Sequence, residues 1–465
     1  MLYLSYRAVI IAVIVSAGII ANGYAVNRNA AVIAAPKPLS TSARTEDWPH
    51  YLGPAFDMTS RETKLQKDLA GSLRVVWALE KGDGYATPAV AGDRLILFHR
   101  IDDESVIECR NTVNGSLMWE YRYPTAYRDR YGYHGGPRAG AVIGNGMVFA
   151  LGADGELFAL SLTSGGLHWR HNIMTMFNVR QNFFGVGASP LIYGDTLIVN
   201  VGAADAAAVA FDCKTGAVRW SAGNGWGASY AMPVPADIAG RKLIALFAGG
   251  ESNPPTGGLL MFDPKSGTIA ASFPWRGTRV ESVNATPPVV IGGNIFISEC
   301  YGAGTALVSP SGAAVWTNED VGIHFMTPIV RDGHLYGVDG HGPGNAFLFC
   351  MDTATGAVLW KEKPQWKDII TNSDGEAAEV NTGTVRCSFI YADNAFLCLG
   401  EFGHLLWMDM TRDGYRITSR TRLFYAGETW SPPVVSKGLL YVCQNRRDKY
   451  SGKPARIICY DLRGQ

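Results

Sequence analysis

The sequence is poor in charge. Charged residues make up 18% of its 465 positions, and 41 basic residues are balanced by 41 acidic ones. No overall field therefore draws the chain to nucleic acid or to an anionic membrane surface, and no polynucleotide partner is expected. Among eight cysteines no two are adjacent, and there is no paired C-x-x-C, no H-E-x-x-H, no phosphate-binding G-x-x-x-x-G-K and no G-x-S-x-G nucleophile turn. The scattered histidines His324, His334 and His341 lack a metal-ligand spacing on one strand. They read as solvated loop residues, so neither a metal site nor a catalytic residue is expected.

Long hydrophobic runs are also missing. The uncharged hydrophobic run from Ala8 to Ala21 behind Arg7 is about 14 residues, shorter than the roughly 20 that span a bilayer. With small residues at Gly23 and Ala25 it reads as an export signal over residues 1–25, or else as an uncleaved anchor, the one membrane contact expected. The Ala/Pro/Ser-rich stretch that follows has no hydrophobic period, so residues 26–46 read as a flexible linker and residues 47–465 as the folded domain. An exported, periplasmic monomer is the expectation.

What is abundant is apolar and turn-forming: 47% hydrophobic residues, 11% aromatics and 54 glycines, a turn-rich β composition. One unit recurs. It is A-F-D-C-K-T-G-A-V-R-W from Ala210 to Trp220 and C-M-D-T-A-T-G-A-V-L-W from Cys350 to Trp360, with weaker copies ending at Trp119, Trp169 and Trp316. The marker glycines Gly115, Gly165, Gly216, Gly267, Gly312, Gly356, Gly414 and Gly464 are spaced 50, 51, 51, 45, 44, 58 and 50 residues apart. That period excludes helical repeats of about 33 or 34 residues and fits blades of four short strands. Each repeat also has an upstream hairpin, turning at Gly92-Asp93, Gly144-Asn145, Gly194-Asp195, Ala239-Gly240, Gly292-Gly293, Asp332-Gly333, Asp393-Asn394 and Lys437-Gly438.

These features specify an all-β, eight-bladed propeller. In each unit the Asp and Thr can bond turn amides, the Gly takes a left-handed conformation, and the Trp emerges on the outer strand to cover the next blade. Trp77, Trp119, Trp169, Trp220, Trp316 and Trp360 are therefore blade-docking residues. The last repeat stops before its outer strand, whereas Leu73–Leu79 is unclaimed; this N-terminal strand should complete the eighth blade and remove an exposed edge. Cys109 and Cys350 hold the same repeat position as small buried residues. Cys387 and Cys398 flank a hairpin turn, which permits a disulfide in an oxidising compartment.

The repeat resembles that of the pyrroloquinoline-quinone (PQQ) propeller family, with the full A-x-D-x-x-T-G-x-x-x-W pattern at Ala210–Trp220. The lead-in W-P-H-Y-L-G-P, Trp48–Pro54, followed by Ser60-Arg61-Glu62-Thr63, is similar to that of a bacterial branch. The family includes quinone-dependent alcohol dehydrogenases and a barrel-assembly lipoprotein of the outer membrane, so the resemblance implies the fold without choosing an activity. A dehydrogenase would need PQQ with calcium, a catalytic carboxylate and the family's adjacent cysteine pair. The missing pair argues against it, and no cofactor is expected.

What remains is the channel mouth. The loops ahead of the innermost strands offer Tyr85, His134, Arg138, Phe184, Trp226, Tyr230, Asn284, His324, Glu428 and Trp430 as a ligand-binding set. The expectation is a noncatalytic binding or scaffold module for an unidentified protein or small ligand. A quinone-dependent alcohol dehydrogenase with a remodelled site and an outer-membrane protein assembly factor are the alternatives.

Overall fold

A computed structural model describes residues 26–71, 73–280, 282–371 and 375–464. The predicted signal or anchor at residues 1–25 lies outside them. Seven four-stranded antiparallel sheets and one five-stranded sheet form the eight blades of a β-propeller. Blade 1 comprises Ala89–Ala91, Arg94–Ile101, Glu104–Asn111 and Leu117–Pro124, and blades 2 to 8 begin on the short strands Val142–Gly144, Leu191–Tyr193, Val234–Ile238, Val289–Ile291, Ile329–Arg331, Ser388–Ala392 and Val434–Ser436. The only helix among the described residues is Ile173–Phe177, and none is long and apolar enough to cross a membrane.

The turn chemistry works as the sequence implies. Asp212 accepts from the amides of Lys214 and Thr215 (3.0 and 2.8 Å), and Asp352 does the same for Ala354 and Thr355 (3.0 and 2.9 Å). One turn shifts by a residue: Gly144 pairs with Met147, so the turn residues are Asn145-Gly146, both at positive φ, and not Gly144-Asn145. That is the conformation two-residue hairpins require.

Each docking indole joins its blade to the next. Its Nε1 donates to a carbonyl of the following blade, three residues before that blade's marker glycine: Trp77 to Thr112 (3.0 Å), Trp119 to Leu162 (2.9 Å), Trp169 to Cys213 (2.9 Å), Trp220 to Pro264 (3.1 Å), Trp316 to Thr353 (3.0 Å) and Trp360 to Thr411 (2.9 Å). All of them but Trp360 also cover that glycine; nothing lies within 4 Å of where a Cβ on Gly414 would sit. A Cβ on Gly267 would sit 2.5 Å from Trp220, so glycine is required there by contact as well as by its φ of +71°. Burying such a ring contributes about 2–3 kcal/mol per interface. Blade 4 has Ala271 in place of the indole, and Gly312 of blade 5 meets Ala271 and the Ser272 carbonyl.

The ring closes as expected. Arg74–Glu80 pairs antiparallel with Arg456–Asp461 and supplies the outer strand of blade 8. The stretch 26–46, expected as a flexible linker, instead lies against this closing blade: Ala31–Val32 pairs with Trp77–Ala78, and the Ile33 and Ala34 amides donate to the Val76 carbonyl (2.8 and 3.1 Å). The closing strand would otherwise present unpaired N–H and C=O groups to solvent. Arg28 also reaches Glu108 (2.8 Å), a buried carboxylate held by Arg110 (2.7 Å).

The 58-residue spacing has a local cause. A two-stranded hairpin, Gln365–Thr371 with Ala377–Gly383, is inserted between blades 6 and 7. All eight cysteines are free, and Cys109 and Cys350 are fully buried as expected. Cys398 stands opposite Phe389, two residues along from Cys387, and both cysteines are free thiols.

Candidate functional site

The lead-in segment closes one end of the axis. Trp48 bridges Val90 of blade 1, the Pro49 carbonyl accepts from Ile143 of blade 2, and Met58 and Ser60 exchange hydrogen bonds with Tyr391 of blade 7. Between them Tyr51 contacts Thr327 of blade 6, and burial pushes its hydroxyl up to about 12. The channel is therefore a blind funnel, open only at the mouth formed by the loops ahead of the innermost strands.

That funnel holds a cavity of about 320 Å³ walled largely by rings: Tyr51, Tyr85, Tyr133, Phe184, Tyr230, Tyr301, Phe325 and Trp430, with His324, His341, Arg138 and Arg386 between them. The rings are packed in a belt of tilted and edge-to-face contacts. Tyr85 lies 5.1 Å from Trp430, Trp430 5.5 Å from Tyr133 and 5.9 Å from Phe325, and Phe184 5.7 Å from Tyr230. Such offset and T-shaped contacts are the favoured geometries for aromatic quadrupoles.

Both arginines of the wall are already neutralised. Arg138 bonds the fully buried Asp129 carboxylate at 2.7 Å. Arg386 grips Glu401 through Nε (3.0 Å) and Nη2 (2.5 Å), and its guanidinium lies 4.9 Å from the Trp430 ring, whose Nε1 donates to the same carboxylate (3.0 Å). His324 adds no charge either. Burial lowers His324 to about 3, and its Nε2 lies 3.1 Å from the Tyr301 hydroxyl. This corrects the expectation of a solvated His324; His341 beside it is exposed.

Six of the ten sequence-predicted residues meet in this wall: Tyr85, Arg138, Phe184, Tyr230, His324 and Trp430. Two more stand directly behind it. His134 stacks on Tyr85 at 5.1 Å, accepts the Gly84 amide on Nδ1 (3.2 Å) and is lowered to about 3 by burial. Glu428 accepts the Tyr85 hydroxyl and Arg446 Nε (2.7 Å). The other two fall outside. Asn284 turns its amide to the Ala248 and Trp275 carbonyls (2.7 and 3.2 Å), and Trp226 packs on the core. Sequence reasoning missed Tyr133, Tyr301, Phe325, His341 and Arg386. Arg386 lies just ahead of the innermost strand of blade 7, the one blade from which no mouth residue was drawn, and the inserted hairpin hides that blade's period.

The donor set can be tested against PQQ with calcium. Calcium takes six to eight oxygen ligands, many of them carboxylates or amides. The cavity wall contributes no Asp, Glu, Asn or Gln; the nearby carboxylates Asp129, Glu401 and Glu428 are consumed by arginine and tyrosine partners. Among the described residues no three His, Cys, Asp or Glu side chains gather at a metal-binding distance. The wall as built does not fit a calcium-bound, multiply anionic quinone.

Comparison with known proteins places this geometry in a family. Two curated relatives share parts of the chain: 1-butanol dehydrogenase (quinone) of Thauera butanivorans, 29% identical over 138 residues (28% of this chain), and the dehydrogenase subunit of alcohol dehydrogenase (quinone) of Komagataeibacter europaeus, 26% identical over 168 residues (34%). The matched stretch spans 22% of the length of each relative. Among solved structures, a europium-containing methanol dehydrogenase superposes with a TM-score of 0.65 at 11% identity, covering 90% of this chain and 98% of that one. Quinohemoprotein alcohol dehydrogenase from Comamonas testosteroni gives 0.65 at 14% identity (92% and 82%), and BamB from Moraxella catarrhalis 0.54 at 15% (85% and 99%). At such identities these likenesses establish the fold alone. A family model described as outer membrane protein assembly factor BamB matches residues 102–362, more than half of the sequence, and the chain therefore belongs to that PQQ-repeat propeller family.

Proposed function

We propose that this chain is an exported, noncatalytic binding module whose axial funnel receives a neutral aromatic or apolar group from a protein or small ligand. One observation carries the reading: a belt of aromatic rings surrounds a blind cavity in which each cation already has its own buried carboxylate. A neutral planar group gains ring contacts there and disturbs no ion pair, whereas an added anion competes with Asp129 or Glu401. The remaining guanidinium N–H groups orient a carbonyl or hydroxyl on the guest.

The names of the curated relatives favour a second reading, a quinone-dependent dehydrogenase with a remodelled site, and the description of the family model favours a third, outer-membrane protein assembly. Titration separates them. N-acetyltryptophanamide should quench or shift the intrinsic fluorescence saturably, and Trp430→Ala should weaken it about tenfold, the loss of one stacked ring. Tight binding of PQQ with calcium, accompanied by dye-linked alcohol oxidation, overturns the proposal in favour of the dehydrogenase.

A further inference from the structure

Far from the axis, the interface between blades 7 and 8 is built differently from the rest. On the outer strand of blade 1, Trp119, Tyr121 and Tyr123 share one face, and the two tyrosine rings lie 5.3 and 4.6 Å from Phe158 of blade 2. On the outer strand of blade 7, Gly414–Arg422, a bulge sets Ser419 opposite Trp407, just as a bulge sets Trp119 opposite Cys109. The stripe that is Trp-Tyr-Tyr in blade 1 is thus Ser419, Thr421 and Leu423 in blade 7. The N-terminal segment reaches the first two of these by hydrogen bonds and not by rings: the Leu69 amide donates to Ser419 Oγ (2.7 Å), and Thr421 Oγ1 donates to the Gly71 carbonyl (3.1 Å). Where the two tyrosines would lie, a cleft of about 500 Å³ is left.

The walls of the cleft are chemically sorted. Arg456, Ile458 and Tyr460 alternate along one face of blade 8, beside Leu73 and Val75 of the closing segment. The inserted hairpin adds Asp368, whose carboxylate is taken by Arg422 (3.3 Å) and His404 (3.0 Å). Among the described residues, Arg456 and Lys453 have no carboxylate within ion-pairing distance. Arg456 is nonetheless fixed by Gln444, which is fully buried: its Oε1 accepts Arg456 Nε (2.8 Å), and its Nε2 donates to the Lys453 and Pro454 carbonyls (3.3 and 3.2 Å), which holds the main chain there while the Lys453 side chain is exposed. One positioned cation and one exposed one, neither in an ion pair, border an aliphatic wall.

We propose that this cleft binds an amphipathic anion, with its alkyl chain along Leu73, Val75, Ile458 and Leu423 and its anionic head on Arg456 and Lys453. The site is separate from the axial funnel and does not rest on its assignment. A free carboxylate and a lipid headgroup share this chemistry, so the test has two arms. Calorimetric titration of the full chain with dodecanoate, kept below its micelle concentration, should show saturable binding that weakens about fourfold per methylene removed, as in decanoate. Co-sedimentation with phosphatidylglycerol vesicles, without binding of dodecanoate, assigns the lipid source instead. In either arm Arg456→Gln should weaken binding about tenfold, the loss of a charged hydrogen bond. The double substitution Thr421→Tyr/Leu423→Tyr, which restores the aromatic stripe, should abolish it. Arg456→Gln leaves the wall intact and keeps the test valid if the double variant does not fold. The proposal is overturned if neither probe binds, if dodecyltrimethylammonium binds as tightly as dodecanoate, if these variants leave affinity unchanged, or if Trp430→Ala removes the binding and so locates it in the funnel.

Discussion

Replacing Gly267 by alanine tests the coupling between indole and glycine that joins the blades. The new Cβ meets Trp220 Cε3 at 2.5 Å and Cδ2 at 2.6 Å, on a backbone with φ of +71°. The left-handed conformation alone costs a non-glycine residue about 1–2 kcal/mol, and displacing a packed ring adds about 1–3 kcal/mol. Trp220→Ala by itself removes a ring that is 8% exposed, together with its bond to the Pro264 carbonyl, and should cost about 3–5 kcal/mol. In the double variant the added methyl enters the space the indole has left, so only the backbone penalty remains. The cycle should therefore close with a coupling of about 1–3 kcal/mol in favour of the double variant. Urea unfolding followed by far-ultraviolet circular dichroism measures all four corners without relying on tryptophan emission. An equal cost for Gly267→Ala with and without Trp220 would refute the ring-on-glycine account of blade docking.

Other outcomes follow from the same structure. Arg386→Met strands the Glu401 carboxylate, 3% exposed, without its bidentate partner, and should cost about 3–5 kcal/mol, read as a lower midpoint in thermal melts. His50 and His134 are lowered by burial to about 3 from an ordinary 6.5, so the unfolded chain takes up their protons first as pH falls. Their contribution to stability is complete above pH 6.5 and lost progressively toward pH 3; at about pH 5.5 the two together should cost about 3 kcal/mol, seen as a falling urea midpoint that His134→Gln flattens by half. Deleting Arg74–Glu80 uncovers the Arg456–Asp461 edge, and size-exclusion chromatography should then detect self-association. A monomeric, equally stable product would show that closure does not depend on this strand.

The ring itself was legible in the sequence because its determinants are local. Asp-x-x-Thr-Gly makes a turn by bonding its own amides, the hairpin dipeptides supply positive φ, and each indole lies four residues from its glycine; repetition multiplies a weak signal eight times. Where a blade departs from that grammar, reading became less accurate. The inserted hairpin masked Arg386, and the docking of residues 26–46 depends on an edge that exists only once Arg74–Glu80 has closed the ring. The lead-in Trp48–Ser60 carries no period to announce that it crosses the axis.

The sequence by itself thus determined the blade count and the indoles that join neighbouring blades, set by contacts between residues close in the chain or one repeat apart; the closing strand was legible because Leu73–Leu79 and the last repeat each lack a partner of their own. The tertiary structure decided which mouth residues converge. Tyr85 and Trp430 lie far apart in sequence yet 5.1 Å apart in space, and whether Arg138 and Arg386 are free or neutralised depends on Asp129 folding back within its own loop and on Glu401 arriving from the next turn of blade 7. Which rings share the cavity is a property of the closed ring, and no single repeat encodes it.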